Sequence, residues 1–218
     1  MTYFDRVLVS VCIVIFIGLL FIGLWPFDFF PSNKVWWLKD GNGLHFHGSG
    51  IGSQLSAGGN IFTPDPLASP HQDLPEKGAV SIEIWLRPAI ESNAGRSRIL
   101  SFRNGTKNET LFVDQWKAHL LIFFQALERY NEKQYKEIGI LKALITGKTR
   151  FVTITSGENG TIIYLEGKPI KRFPKARLIP PDAFISGQTL LIGNCPDALH
   201  SWSGDLLGLA IYDCSLTE

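Results

Sequence analysis

Cysteine is scarce in this chain: there are three, Cys12, Cys195 and Cys214, in 218 residues. Cys12 sits in an apolar run, and the other two are too few for the disulfide framework that staples small secreted domains. If the segments at 189–194 and 205–213 were hairpin partners, Cys195 would lie near the loop and Cys214 at the open end. They would then be about 25–30 Å apart at the strand rise, beyond bonding reach, and free thiols are expected. Bonding between non-adjacent strands is the alternative. An excess of either charge is missing too: 21 Lys and Arg face 20 Asp and Glu, a formal net charge of +1. A nucleic-acid binder needs a basic face to neutralise phosphates, so no nucleic-acid partner is expected.

The commonest local signatures of chemistry are also absent. There is no H-E-x-x-H, G-x-S-x-G or G-x-x-x-x-G-K-[ST], which argues against zinc proteases, serine hydrolases and phosphate-binding loops of those types. The glycines of "GNGLHFHGSGIG" lack the G-x-G-x-x-G spacing and read as turn or close-packing positions. Asp40 and Asn42 in "KDGNG" fall far short of a calcium shell. His45 and His47 share a strand face and would need a third ligand from elsewhere to hold a metal. No metal and no cofactor are expected.

What the chain does have begins with "VLVSVCIVIFIGLLFIGLW", Val7–Trp25, without a charge. As a helix it would be about 28 Å long, close to a bilayer's hydrocarbon core. The bulky "GLWPFDFFP" that follows offers no small-residue cleavage site, which favours an uncleaved anchor over a signal peptide. Residues 1–25 are therefore read as a transmembrane anchor, with residues 7–25 in the membrane. Arg6 on one side and Lys34 and Lys39 on the other leave the positive-inside count undecided. A short tail ahead of a large folded domain suggests a single-pass protein whose domain faces away from the cytoplasm. Residues 26–42 form an aromatic-rich lead-in whose Trp and Phe suit a membrane interface.

From residue 43 the pattern is that of strands. In "GLHFHGSGIG" Leu44 and Phe46 face one way and His45 and His47 the other. Residues 55–80, with Pro64, Pro66, Pro70 and Pro75, read as a long surface connection. "SIEIWLRP" puts Ile82, Ile84 and Leu86 on one face and Glu83, Trp85 and Arg87 on the other, a half-buried antiparallel strand. "RILSFRN", "TLFVDQW" and "HLLIFFQ" are further short apolar runs, and "ALERYNEKQYKEI" is a charged loop or short helix leading to a strand at "EIGIL". In "RFVTITSGENGTIIYLEGKPIKRF" two β-branched runs flank a turn for which Asn159 and Gly160 are expected to supply positive φ, and "EGKP" makes a second reversal. "NGT" at Asn104 and Asn159 and "NET" at Asn108 fit the glycosylation acceptor and are read as turn residues. Many short strands and little helix predict an all-β sandwich of two antiparallel sheets after one N-terminal helix.

The series "AVSIEIWLRP", "ILSF", "FVTITSGENGTIIYLEGKPI", "LLIGN" and "WSGDLLGLAIYDCSLT" resembles the LamG-like group of the concanavalin A-like lectin and glucanase superfamily. That resemblance implies a jelly roll over residues 43–218. The front, a membrane helix running into "LWPFDFFPSNKVWWLKDGNGLHF", is similar to the first membrane segment of VanZ-like bacterial membrane proteins that carry such a domain next. It implies a bacterial cytoplasmic membrane, with "GLAIYD" as the strand that closes the sandwich. Glucanases of this superfamily pair carboxylates at E-x-D-x-x-E or similar spacing, and no Glu here has an Asp two residues on, so an enzyme is not expected. Sugar recognition on such folds joins an aromatic platform to amide or carboxylate side chains. This makes Trp85, Trp116 and Trp202, with Asn194 and Asp205, the candidate ligand residues; core packing is the competing role for each tryptophan. The expected function is a non-catalytic binding module for glycan or a protein partner at the cell envelope. The alternatives are a structural or regulatory domain of a VanZ-like protein, and a hydrolase with an unrecognised carboxylate pair.

Overall fold

The computed structural model describes residues 3–24, 34–48, 61–63, 78–90, 92–104, 108–125, 135–180, 188–195 and 200–216. The chain divides into two compact units, Met1–Pro31 and Ser32–Glu218. The first contains α1, Tyr3–Leu24, the one described helix long and apolar enough to cross a membrane. A helix suits that environment because it satisfies its own backbone hydrogen bonds.

The second unit is a sandwich of two antiparallel sheets. Seven strands form the larger one: β1 Val35–Trp37, β2 Leu44–Phe46, β4 Val80–Pro88, β9 Arg150–Gly157, β10 Gly160–Leu165, β11 Lys168–Phe173 and β13 Gly204–Tyr212. Their spatial order is β1-β2-β13-β4-β9-β10-β11. The smaller sheet runs β3-β12-β5-β6-β7-β8. Its members are β3 Ile61–Thr63, β5 Ser92–Asn104, β6 Asn108–Lys117, β7 His119–Gln125, β8 Tyr135–Ile140 and β12 Thr189–Ile192. β13 therefore lies between β2 and β4 inside the larger sheet.

One apolar core fills the space between the sheets. Ile82, Ile84, Leu86, Val152, Ile154 and Ile163 from the larger sheet meet Leu100, Phe102, Leu111, Val113, Leu120 and Ile122 from the smaller. The period-2 alternation of the sequence puts them there: Ile82, Ile84 and Leu86 are buried, whereas Trp85 and Arg87 are exposed.

Several local expectations are corrected. Asn159 does not take positive φ; the two-residue turn after Gly157 places only Gly160 there, at φ 90°. A Cβ on Gly160 would come within 2.3 Å of the Phe173 carbonyl oxygen. Glu166 and Gly167 both have positive φ, 52° and 73°, the arrangement that matches a two-residue turn to strand twist. The span 55–80 is not all connection, since β3 pairs with β12 at the edge of the smaller sheet and Val80 opens β4. "VWWLK" is not only lead-in: β1 is the edge strand of the larger sheet, paired with β2. The hairpin considered for residues 189–213 does not form, because β12 and β13 belong to different sheets; none of the three cysteines is joined in a disulfide. "EIGIL" does form a strand, most of it within β8. The charged stretch before it, 126–134, lies outside the described residues.

Candidate functional site

Four side chains from four neighbouring strands line up across the outer face of the larger sheet. Trp36 on β1 is the register partner of His45 on β2, His45 of Asp205 on β13, and Asp205 of Arg87 on β4. Parity explains the row: each residue has a neighbour pointing into the core, such as Phe46, Leu206 and Leu86. Asp205 is its centre. The His45 ring donates from Nδ1 to Oδ1 at 2.6 Å. Arg87 donates from Nε and Nη2 to Oδ2 at 2.9 and 2.6 Å. Burial alone would push the Asp205 carboxyl up, but the hydrogen bonds from His45 and Arg87 and the charge of the Arg87 guanidinium hold it below its usual range.

Aromatic faces flank the row. Trp36 is 49% exposed, and its ring centroid lies 4.9 Å from that of His45 and 5.9 Å from that of His47. Trp85, two residues before Arg87 on the same face, is 51% exposed. Its register partner on β13 is Gly208, just past a bulge at Leu206–Gly208, and on β9 it is Phe151. The far end of the same face is covered by the chain itself, because Ser81 Oγ donates to the Cys214 carbonyl and accepts from the Leu216 N–H. At the other end Trp85 and Arg87 are exposed, while Asp205, which anchors Arg87, is buried. Chemically this end offers an aromatic platform for an apolar ring face beside a half-exposed guanidinium whose orientation is set by a fixed carboxylate.

The structure brings two of the five sequence-derived candidates together, Trp85 and Asp205, and separates the rest. Trp116 is 40% exposed but stands on β6 of the other sheet, beside His119 and under the Lys117 ammonium. Trp202 has no exposed surface: its Nε1 donates to Gln115 Oε1 at 2.8 Å and its ring packs 5.8 Å from that of Phe46. Asn194 is also fully buried and accepts from the Cys195 N–H. Trp202 and Asn194 are core residues, which corrects their place among surface ligand contacts. Sequence reasoning missed Trp36 and the Asp205 partners. The parity of His45 and His47, and that of Arg87 on its own strand, were the available signals, because partners far apart in sequence are set by register.

A second polar cluster lies on the smaller sheet. Arg98 on β5 pairs with Asp114 and Glu109 on β6 and lies 3.9 Å from the Phe112 centroid, which stacks on Phe123 at 4.8 Å. Burial pushes the Asp114 carboxyl up more than Arg98 pulls it down. Both carboxylates are committed to one guanidinium, and Asp114 is buried. Among the described residues no group of three or more His, Cys, Asp or Glu is placed to hold a metal ion.

Two antiparallel sheets enclosing one core define a jelly-roll sandwich domain. The match of a family model to residues 63–218 is more specific. The chain belongs to the concanavalin A-like lectin/glucanases superfamily. No curated protein sequence matches it. Among solved structures it is similar to the receptor-binding domain of botulinum neurotoxin type G, at 16% identity and a TM-score of 0.54, over 85% of this chain and 43% of that one. The binding domain of botulinum neurotoxin DC, solved in complex with rat synaptotagmin II, is similar at 17% identity and a TM-score of 0.56, over 85% and 43% of the two chains. The CBM40 of the Ruminococcus gnavus IT-sialidase, bound to α2,3-sialyllactose, is similar at 13% identity and a TM-score of 0.50, over 65% and 79%. The chain thus spans less than half the length of the toxin domains, and at these identities the likeness is one of fold.

Proposed function

We propose that this chain is a membrane-anchored, extracytoplasmic binding module that holds a glycan or protein partner at a bacterial cell envelope without catalysing a reaction. In this reading residues 1–25 anchor it in the cytoplasmic membrane, and the sandwich recognises its partner through the end of the larger sheet that bears Trp85 and Arg87. The observation that carries the reading is the half-exposed Trp85 beside the ordered Arg87–Asp205–His45 row. Supporting it, structural neighbours are receptor-binding and carbohydrate-binding domains. At the Trp85 face, the commitment of Asp205 to Arg87 and His45, which holds its carboxyl below the usual range, favours binding over hydrolysis, which needs one carboxyl group able to hold and release a proton. A second reading, resting on the sequence resemblance at the front of the chain together with the apolar α1, is a structural or regulatory domain of a VanZ-like membrane protein.

The test is a titration of the full chain in zwitterionic nanodiscs with isolated cell-wall polysaccharide, with new reducing ends assayed in the same mixture. Saturable binding that Trp85→Ala weakens, without new ends, is expected. New reducing ends would restore the hydrolase, and absence of binding would leave the structural role.

A further inference from the structure

Among the described residues β8 ends the smaller sheet and β11 ends the larger, and these two strands do not pair with each other. A cleft of about 610 Å³ lies there, within the range of small-ligand sites. Phe124, Phe173 and Ile179 give it an apolar lining, and Lys136, Arg172, Lys175 and Arg177 bring four cations to it. No carboxylate is among its described lining residues.

The sequence around it is as one-sided. From Gly167 to Pro181 there are five cations, Lys168, Lys171, Arg172, Lys175 and Arg177, and no acid. In a chain of net charge +1 this is a concentration of positive charge on one segment. Lysines and Pro169 on an edge strand also serve to keep other strands from pairing with it, which accounts for Lys168 and Lys171. It does not account for Lys175 and Arg177, which follow the end of β11 and line the cleft. Arg177 is held there by a hydrogen bond from Nη2 to the Glu158 carbonyl oxygen at 3.2 Å.

We infer that this cleft is a second binding site, distinct from the Trp85 face, for an acidic polysaccharide. The aromatic and aliphatic lining suits the C–H faces of sugar rings, and the cations suit carboxylates or phosphates carried on them. A neutral glycan would bring no charge to meet Lys175 and Arg177.

The experiment titrates the full chain in zwitterionic nanodiscs with polygalacturonate and, separately, with neutral dextran, at two salt concentrations. Polygalacturonate is expected to bind, more weakly at high salt, with dextran at least tenfold weaker. Lys175→Glu with Arg177→Glu is expected to cost at least about tenfold in affinity, since two like-charge contacts replace two attractive ones. Lys34→Glu with Lys39→Glu changes the net charge equally beside β1, at the opposite edge of the larger sheet from β11, and is expected to cost less than about threefold. Thermal unfolding monitors folding throughout, and Lys175→Gln with Arg177→Gln supplies a milder pair if the reversed one unfolds. Equal loss in the two charge-reversal pairs, equal binding of dextran, or no polygalacturonate binding would overturn the inference. Trp85→Ala is expected to leave this binding unchanged, so failure here and failure of the Trp85 site are separate results.

Discussion

Replacing Trp202 with phenylalanine tests whether this side chain belongs to the core or to a ligand surface. Its indole is fully buried, and its N–H meets Gln115 Oε1 at 2.8 Å. Phenylalanine removes that donor and leaves a buried amide oxygen unpaired, which costs about 1–3 kcal/mol. The smaller ring loses roughly another 1 kcal/mol of apolar burial. The Gln115 amide group still donates to the carbonyls of Ile90 and Lys117, so Gln115 stays in place and its orphaned oxygen cannot turn to a new partner. The sum is about 2–4 kcal/mol, a large part of a typical domain's 5–15 kcal/mol. Urea unfolding followed by circular dichroism should show a lower midpoint at unchanged slope. Adding Gln115→Leu should recover part of the loss, because removing both polar partners costs less than removing one. A Trp202→Phe protein with unchanged midpoint and lost polysaccharide binding would refute the burial argument.

Four other outcomes are expected. Gly204→Ala should cost about 1–3 kcal/mol in the same assay, because its Cβ would come 2.5 Å from Trp202 Cζ2 and 2.7 Å from the Arg87 carbonyl oxygen. The depressed Asp205 carboxyl contributes stability above its unfolded pKa of about 3.9, lost as pH falls through its lower folded value; Asp205→Asn should flatten that part of the pH–stability curve. Trp85→Ala should weaken binding of the isolated cell-wall polysaccharide by more than about fivefold, while Trp116→Ala on the other sheet changes it less than twofold. Alkaline extraction of expressing cells should leave the full chain in the membrane pellet and release a variant lacking residues 2–25; release of both would refute the anchor.

Much of the fold was legible because strand alternation is a local property. The run from Ile82 to Arg87 sorted its own core and surface residues, and the glycine after the Glu158–Asn159 turn marked a reversal. Trp36 was harder, since a three-residue strand beside aromatic neighbours carries too little periodicity to separate it from a membrane-interface segment. The candidate site was half legible. Parity placed Trp85 on an outer face, but nothing in the local sequence around Asp205 names His45 or Arg87 as its partners. Those lie 160 and 118 positions away and meet it only through register.

By itself the sequence determined the two-sheet architecture, the apolar N-terminal helix and the outward face of β4, because hydrophobic period and turn chemistry act over a few residues. Only the tertiary structure decided which tryptophans were available. Trp85 lies within a strand, where alternation assigns a face, and it is exposed. Trp202 lies just outside β13, where no alternation applies, and the space between the sheets together with the Gln115 acceptor drew it into the core.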